Sequence, residues 1–213
     1  MRVFSAFAVL GLVAVLALGT LGLFPRGPVG DWEGPAVAYG ARNAVAAIVL
    51  GARLWDTLME VLVYAMAMLG VRMGMSTLPE MRASQPPVAE TPLLLKAADI
   101  LIGVVLVFSL YLAASGHLGP GGGFPAGAIL GSGLLLLALA KGADRLAEEL
   151  YEPTLEGLEY GAVAVLIAIG AATLLLGARG AIPLVGANLV IGLEVAIGAW
   201  VVLHRFATHR GEV

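Results

Sequence analysis

Six stretches of this chain are apolar for the length of a membrane span, and short polar segments separate them. They cover residues 3–24, 54–75, 97–115, 124–140, 158–177 and 181–202. About 17–25 apolar residues are what a helix needs to cross a hydrocarbon core of roughly 30 Å. Inside that core, only structures that satisfy their own backbone hydrogen bonds survive. Of the 213 residues, 60% are hydrophobic and 13% charged, the latter about half the norm for a globular protein. A water-soluble domain could not hide so much apolar surface. The expected fold is all-α, a polytopic integral membrane protein of about six transmembrane helices plus one interfacial helix.

Composition excludes several functions. The net charge of −3 is too small to argue for nucleic acid. There is no cysteine, and the three histidines (His117, His204, His209) are scattered. No disulfide, thiolate metal site or iron–sulfur cluster follows from such a chain, and no cofactor is expected.

The first run follows Arg2 and reaches Phe24. Ala17-Leu18-Gly19 is a loose cleavage motif for a signal peptide, but the run is longer than an ordinary signal core, so it reads as a retained first span. Residues 25–56 are polar. Within them Ala36 to Leu50 is mildly apolar and carries Arg42 and Asn43. It is too short and polar to span, so it is expected to lie at the interface or against a neighbour.

Next comes Leu54-Trp55-Asp56-Thr57-Leu58-Met59-Glu60, running into an apolar stretch. Asp56 or Thr57 can cap that helix, and Glu60 falls in its first turns, where an acid is stabilised by the helix dipole. Carboxylates at membrane depth are costly, and they usually mark an ion path or an inter-helix contact. The residues alone leave both readings of Glu60 standing.

Residues 76–96 hold Pro79, Pro86, Pro87 and Pro92 among polar residues, a proline-rich linker. Asp99, near the edge of the following span, reads as a cap. Lys141 to Glu159 is the most charged stretch and reads as a solvated amphipathic loop, with Glu148 and Glu149 spaced to pair with Arg145. The last span carries Asn188 and Glu194, the deepest carboxylate in the chain. In lipid it must be neutral or paired. Six residues at about 100° each leave the two side chains about 120° apart, addressing different neighbours. A carboxyl on an ion path and one held by an inter-helix hydrogen bond both fit Glu194.

Between the third and fourth spans stands Ser115-Gly116-His117-Leu118-Gly119-Pro120-Gly121-Gly122-Gly123-Phe124-Pro125-Ala126-Gly127. Glycine permits positive φ and close backbone approach. Gly123, Gly127 and Gly131 recur every four residues, a seam of small residues on which another helix can pack closely. The stretch lacks the Lys-Ser/Thr pair of a phosphate-binding loop and the preceding strand of a dinucleotide fold. A tight membrane hairpin with a packing seam is the plain reading.

Gly116-His117, then Pro120-Gly121-Gly122-Gly123-Phe124, resembles the signature of the B subunit of Mrp-type (Mnh-type) multisubunit Na+/H+ antiporters. Pro125-Ala126-Gly127 stands where that family usually has Gly-Gly. A second resemblance runs from Asn43-Ala44-Val45 through Arg53 to Asp56-Thr57-Leu58-Met59-Glu60. It is to the C-terminal end of the A subunit of the same complexes and to the E-like subunit of membrane-bound hydrogenases. Met59 stands where glycine is usual there, and Gly51 where aspartate is frequent. Asp56 and Glu60 match the acidic pair of that segment, whose glutamate is implicated in ion movement.

The resemblance implies a chain fused from two parts: residues 1–75, E-like, with two spans; the linker 76–96; and residues 97–213, B-like, with four. It implies a non-enzymatic membrane subunit that works beside antiporter-like A and D subunits and small C, E, F and G subunits, in contact with lipid, Na+ and H+. B subunits often place an acid in the last span, so Glu60, Asp56, Glu194 and Asn188 are the candidate ion-path residues. Gly116, His117, Pro120, Gly121, Gly122, Gly123, Phe124 and Gly127 form the family motif and packing element. The alternatives are a subunit of a hydrogenase-like respiratory complex and a purely structural subunit whose acids only cap and pin helices. The expected location is the plasma membrane of a prokaryote. Lys and Arg, eight against four across the six spans, place both termini in the cytoplasm.

Overall fold

The computed structural model describes residues 33–76 and 92–209. The first span, its alternative as a signal peptide, and residues 77–91 of the proline-rich linker lie outside the described residues.

The described residues are helical throughout, with short connections. In chain order the elements are α1 (Glu33–Tyr39), α2 (Ala44–Ala47, continued by a π-helical turn, Ile48–Ala52), α3 (Leu54–Met75), α4 (Pro92–Ser115), α5 (Gly123–Lys141), α6 (Ala143–Glu149), α7 (Glu152–Leu175) and α8 (Ala181–His209). Five of them, α3, α4, α5, α7 and α8, are long and apolar enough to cross a membrane. The α1–α2 pair, bent by 80°, adds a sixth span if it is counted as one.

α8 is the hub. It packs against each of the other four long helices, and 56% of its apolar window is buried, against 11% for α4. Ile191 and Val195 face Leu54, Leu58 and Val61 of α3, with Leu166 of α7, in one apolar core. Trp200 joins Ala98, Leu137 and Leu146 in a second. The outer face of α4, with Ile100, Val104, Val107 and Tyr111, is exposed and apolar, as a surface facing lipid or a neighbouring subunit requires.

The glycine seam packs inside the chain. A Cβ on Gly123 would lie 2.6 Å from the Asn188 carbonyl oxygen, one on Gly127 2.6 Å from Val195 Cβ, and one on Gly131 2.6 Å from Ala199 Cβ. α5 and α8 therefore touch backbone to backbone, and their bulk is supplied by α8 alone.

Three boundaries differ from expectation. The stretch from Ala36 to Leu50 is not one interfacial helix. Gly40, at φ +59°, breaks it, and Asn43 restarts it by accepting the Val45 N–H. Its inner side joins the core through Tyr39, Ala47 and Leu50, and Gly51 lacks the Cβ that would strike the Tyr39 ring at 2.6 Å. α4 begins at Pro92, a residue suited to a first turn, so Asp99 lies within the helix. It is not a cap but an ion-pair partner of Lys141 at 2.9 Å. The charged stretch up to Glu159 is not a loop: α6 occupies part of it, and α7 starts at Glu152 with Pro153 in its first turn. Glu152, Glu156 and Glu159 are thus helical, and Glu159 is 1% exposed.

Candidate functional site

Three elements bring charge into the bundle. α3 runs from Leu54 to Met75 and carries Arg72 near its end. α7 runs the opposite way and carries Glu159 in its second turn. The two side chains meet as an ion pair at 2.6 Å, with 9% and 2% of their surfaces exposed. The contact satisfies charge but not geometry: among the described residues, Nε and Nη1 of Arg72 have no hydrogen-bond partner.

Glu194, midway along α8, is 1% exposed. Neither of its carboxyl oxygens has a hydrogen-bond partner among the described residues. Both Glu159 and Arg72 lie within its electrostatic reach. Arg205 of α8 pairs with Glu152 of α7 at 2.5 Å, which fixes the antiparallel register. From that pair Glu194 sits about one turn, roughly 5–6 Å, deeper in the bundle than Glu159. Tyr64 of α3 completes the surroundings. Its hydroxyl donates to the Val195 carbonyl at 2.9 Å, and its ring lies against Gly198, where a Cβ would collide with it.

The cluster therefore holds two carboxylates and one guanidinium away from water. Two ionised carboxylates and one guanidinium sum to one uncompensated negative charge, a costly state at membrane depth. Sequence reasoning missed Arg72 and Glu159, counting the first as a loop cation and the second as a solvated loop acid. The available signal was Arg72 itself: a cation three residues before the end of an apolar run either reaches back to the interface or pairs with an acid of another span.

Asn188 lies elsewhere. It is 3% exposed, and its carboxamide oxygen accepts the Gly123 N–H at 2.8 Å, capping α5 from α8. Cβ atoms on Gly116 or Gly122 would crowd the same carboxamide at 3.0 and 3.2 Å. Asn43 grips the hairpin from the other side, donating to the Gly116 and Gly119 carbonyls at 2.8 Å each. The His117 carbonyl accepts the Arg42 and Asn43 N–H groups. Gly121 and Gly122, at φ +153° and +120°, fold the backbone so that the Gly122 N–H reaches the Leu112 carbonyl at 3.0 Å. Pro120 and Phe124 flank this turn, and Gly127 continues the seam. The motif thus ties α2, α5 and α8 together.

Asp56 and Glu60 sit at the other end of α3 from Arg72, and both are exposed. Asp56 is bound to Arg53 and caps nothing. Thr57 also does not cap: its hydroxyl donates to the Val49 carbonyl of the π-turn at 2.8 Å. Glu60 projects from the lateral surface of a span, in the second turn. The structure brings Glu194 together with Arg72, Glu159 and Tyr64, and leaves Asn188, Asp56 and Glu60 outside that group.

Comparison with known proteins agrees with this architecture. A 49-residue stretch is 49% identical to the B subunit of the Na(+)/H(+) antiporter of Bacillus subtilis (strain 168), covering 22% of this chain and 34% of that protein. The match thus spans about a third of the curated relative's length. Among solved structures, a chain of the membrane-bound sulfane sulfur reductase, an archaeal respiratory membrane complex, superposes with a TM-score of 0.64. The identity is 25%, over 96% of this chain and 97% of that one. A chain of the Mrp complex from Dietzia sp. DQ12-45-1b superposes with a TM-score of 0.69 at 20% identity, over all of this chain and 26% of that one, a likeness of fold. The family model described as a domain related to the MnhB subunit of Na+/H+ antiporter matches residues 93–205, more than half of the chain, so this protein belongs to the MnhB-related family.

Proposed function

We propose that this chain is a membrane subunit of a multisubunit Na+/H+ antiporter, in which it packs the membrane arm and contributes carboxylates to an ion path. The observation that carries the reading is Glu194: a carboxyl deep in the bundle, without a hydrogen-bond partner among the described residues, in a chain of the MnhB-related family. A carboxyl that only pinned helices would bond a neighbour, as Asn188 does.

Two parts are assigned. Residues 1–75 form the E-like part, 76–96 the linker, and 97–213 the B-like part; the family match over 93–205 supports the last, and with the helix start at Pro92 it carries that part back into the end of the linker. Glu60 and Asp56 belong to the first part. Glu60, exposed on the flank of α3, faces an adjoining subunit, since a carboxylate facing lipid is costly. The neighbours are antiporter-like A and D subunits and small C, E, F and G subunits, in the plasma membrane of a prokaryote. Arg72, Lys96, Lys141, Arg145 and Arg205 gather at one end of the long helices, with Arg42, Arg53 and Arg179 at the other. That asymmetry supports a cytoplasmic C-terminus.

A second reading has its own observation. The sulfane sulfur reductase chain is matched nearly end to end, so a place in a redox-driven respiratory complex fits the fold equally. In either assembly the chain is no transporter by itself. Expressed alone in a sodium-sensitive, antiporter-deficient strain it should give no exchange, and restored with its neighbouring subunits it should. Robust exchange by the lone chain would overturn the proposal.

A further inference from the structure

We propose that the cavity between α6, the start of α7 and the end of α8 is a lipid site, and that it takes the headgroup of a zwitterionic aminophospholipid such as phosphatidylethanolamine. The inference goes beyond the ion-path reading and does not depend on it.

The cavity has a volume of about 300 Å³, at the lower end of the roughly 300–1,000 Å³ typical of small-molecule sites. Leu150, Leu155, Trp200 and Val201 make its apolar lining, and Glu148, Tyr151 and His204 line it with polar groups. Its floor is anchored. Trp200 is 3% exposed and belongs to the second core, and its ring is stacked on His204 at 5.4 Å and 14°. Tyr151, by contrast, is 66% exposed. Trp200 and His204 fall in the last two turns of the α8 span, which runs to Phe206, and Leu155 falls in the first turn of α7. That is the depth of the membrane–water interface, where amphipathic aromatic rings sit at the level of the headgroups.

The polar side suits a zwitterion. Arg145 and Glu148 are three residues apart on α6, so their side chains share a face. Neither makes an ion pair among the described residues, whereas Glu152, on the same cavity, is held by Arg205. A phosphate matches the guanidinium and an ammonium matches the carboxylate. The exposed Tyr151 ring offers the ammonium an aromatic face. A purely anionic headgroup leaves Glu148 unmatched and meets the repulsion of Glu149 beside it. A quaternary ammonium has no N–H to donate to the carboxylate.

The surface below the cavity suits acyl chains. Leu193 stands eleven residues before His204 on the same face of α8, about 16 Å deeper, and is 39% exposed. Val165 stands ten residues beyond Leu155 on the adjoining side of α7, about 15 Å deeper, and is 48% exposed. Both depths match one leaflet, half of a hydrocarbon core of roughly 30 Å. Ile197, between Trp200 and Leu193, is covered by its neighbours, so the cavity and the apolar surface below it are two separate contacts on one face. A water-soluble ligand would use only the first.

The test uses the purified whole complex, delipidated in detergent, with a trace of phosphatidylethanolamine that carries a photoactivatable diazirine near its glycerol. Labelled peptides are mapped by mass spectrometry, in complexes whose yield on native gels matches wild type. The label should saturate on segments 147–155 and 200–204. Unlabelled phosphatidylethanolamine should displace it several-fold better than phosphatidylcholine or phosphatidylglycerol. Glu148→Gln and Arg145→Gln should each raise the phosphatidylethanolamine concentration for half displacement about two- to fivefold, the worth of an exposed ion pair. Glu149→Gln, the neighbouring acid outside the cavity lining, should not. Ala147→Trp, which fills the cavity, should abolish the label. Label that never saturates, that all three lipids displace equally, or that is unchanged in Glu148→Gln and Arg145→Gln overturns the proposal. So does an unlabelled cavity in the whole complex, which would mean that a partner subunit fills it.

Discussion

Arg72 and Glu159, 87 positions apart in the chain, meet at 2.6 Å with almost no exposed surface. The pair locks the end of α3 to the start of α7. Removing one partner of a buried pair strands the other, at a typical cost of about 3–5 kcal/mol.

The two single variants should differ. Arg72→Met leaves both Glu159 and Glu194 without a counter-charge and should destabilise by about 3–5 kcal/mol. Glu159→Gln leaves Arg72 free to turn to Glu194 and should cost markedly less. Thermal unfolding of the detergent-solubilised complex, followed by the loss of its monodisperse peak, gives the order. Equal losses would mean that Glu194 does not share the arginine.

Gly127→Leu should lower the yield of assembled complex before it alters exchange in what assembles. Even a Cβ there would lie 2.5 Å from the Gly192 carbonyl oxygen, so α5 would be forced off α8. Gly161→Ala, on α7 with open space around it, is the matched control and should assemble normally. Native gels give the comparison. Full yield with lost exchange in Gly127→Leu would make the seam chemical.

Much of this was readable in advance. The apolar runs foretold the five long helices, because a membrane span leaves the backbone few alternatives. The four-residue glycine spacing foretold a close helix contact. It did not name the partner, which is α8 of the same chain, because small residues announce proximity but not what approaches. Glu194 and Asn188 were picked out with different neighbours, as the 120° offset required. Arg72 and Glu159 were not, because each was judged by its neighbours in sequence, and an ion pair between spans is invisible at that range. The reading of Asp56, Thr57 and Asp99 as caps failed because each has a better partner, in Arg53, the Val49 carbonyl and Lys141, and only the last of these is on another span.

Glu60→Gln should leave the complex assembled and strongly lower exchange, while Glu60→Asp keeps part of the activity with a shifted pH profile. A helix-dipole role would tolerate the amide at a cost of about 0.3–1 kcal/mol, and the exposed Glu60 side chain can change without disturbing the core. Wild-type flux from the amide variant at every pH would return Glu60 to a surface acid.

In the proposed function Glu194 is kept for ion exchange and not for holding helices together. The most direct measurement is dye-reported, Na+-driven proton flux in vesicles containing the whole complex, with subunit content matched between wild type and Glu194→Gln. Gln is nearly the same size, cannot exchange a proton, and leaves Arg72 and Glu159 as a neutral pair. The Glu194→Gln complex should be at least as heat-stable as wild type, with Na+-driven proton flux reduced to the level of vesicles lacking the complex. Wild-type flux from a stably assembled Glu194→Gln complex would contradict it.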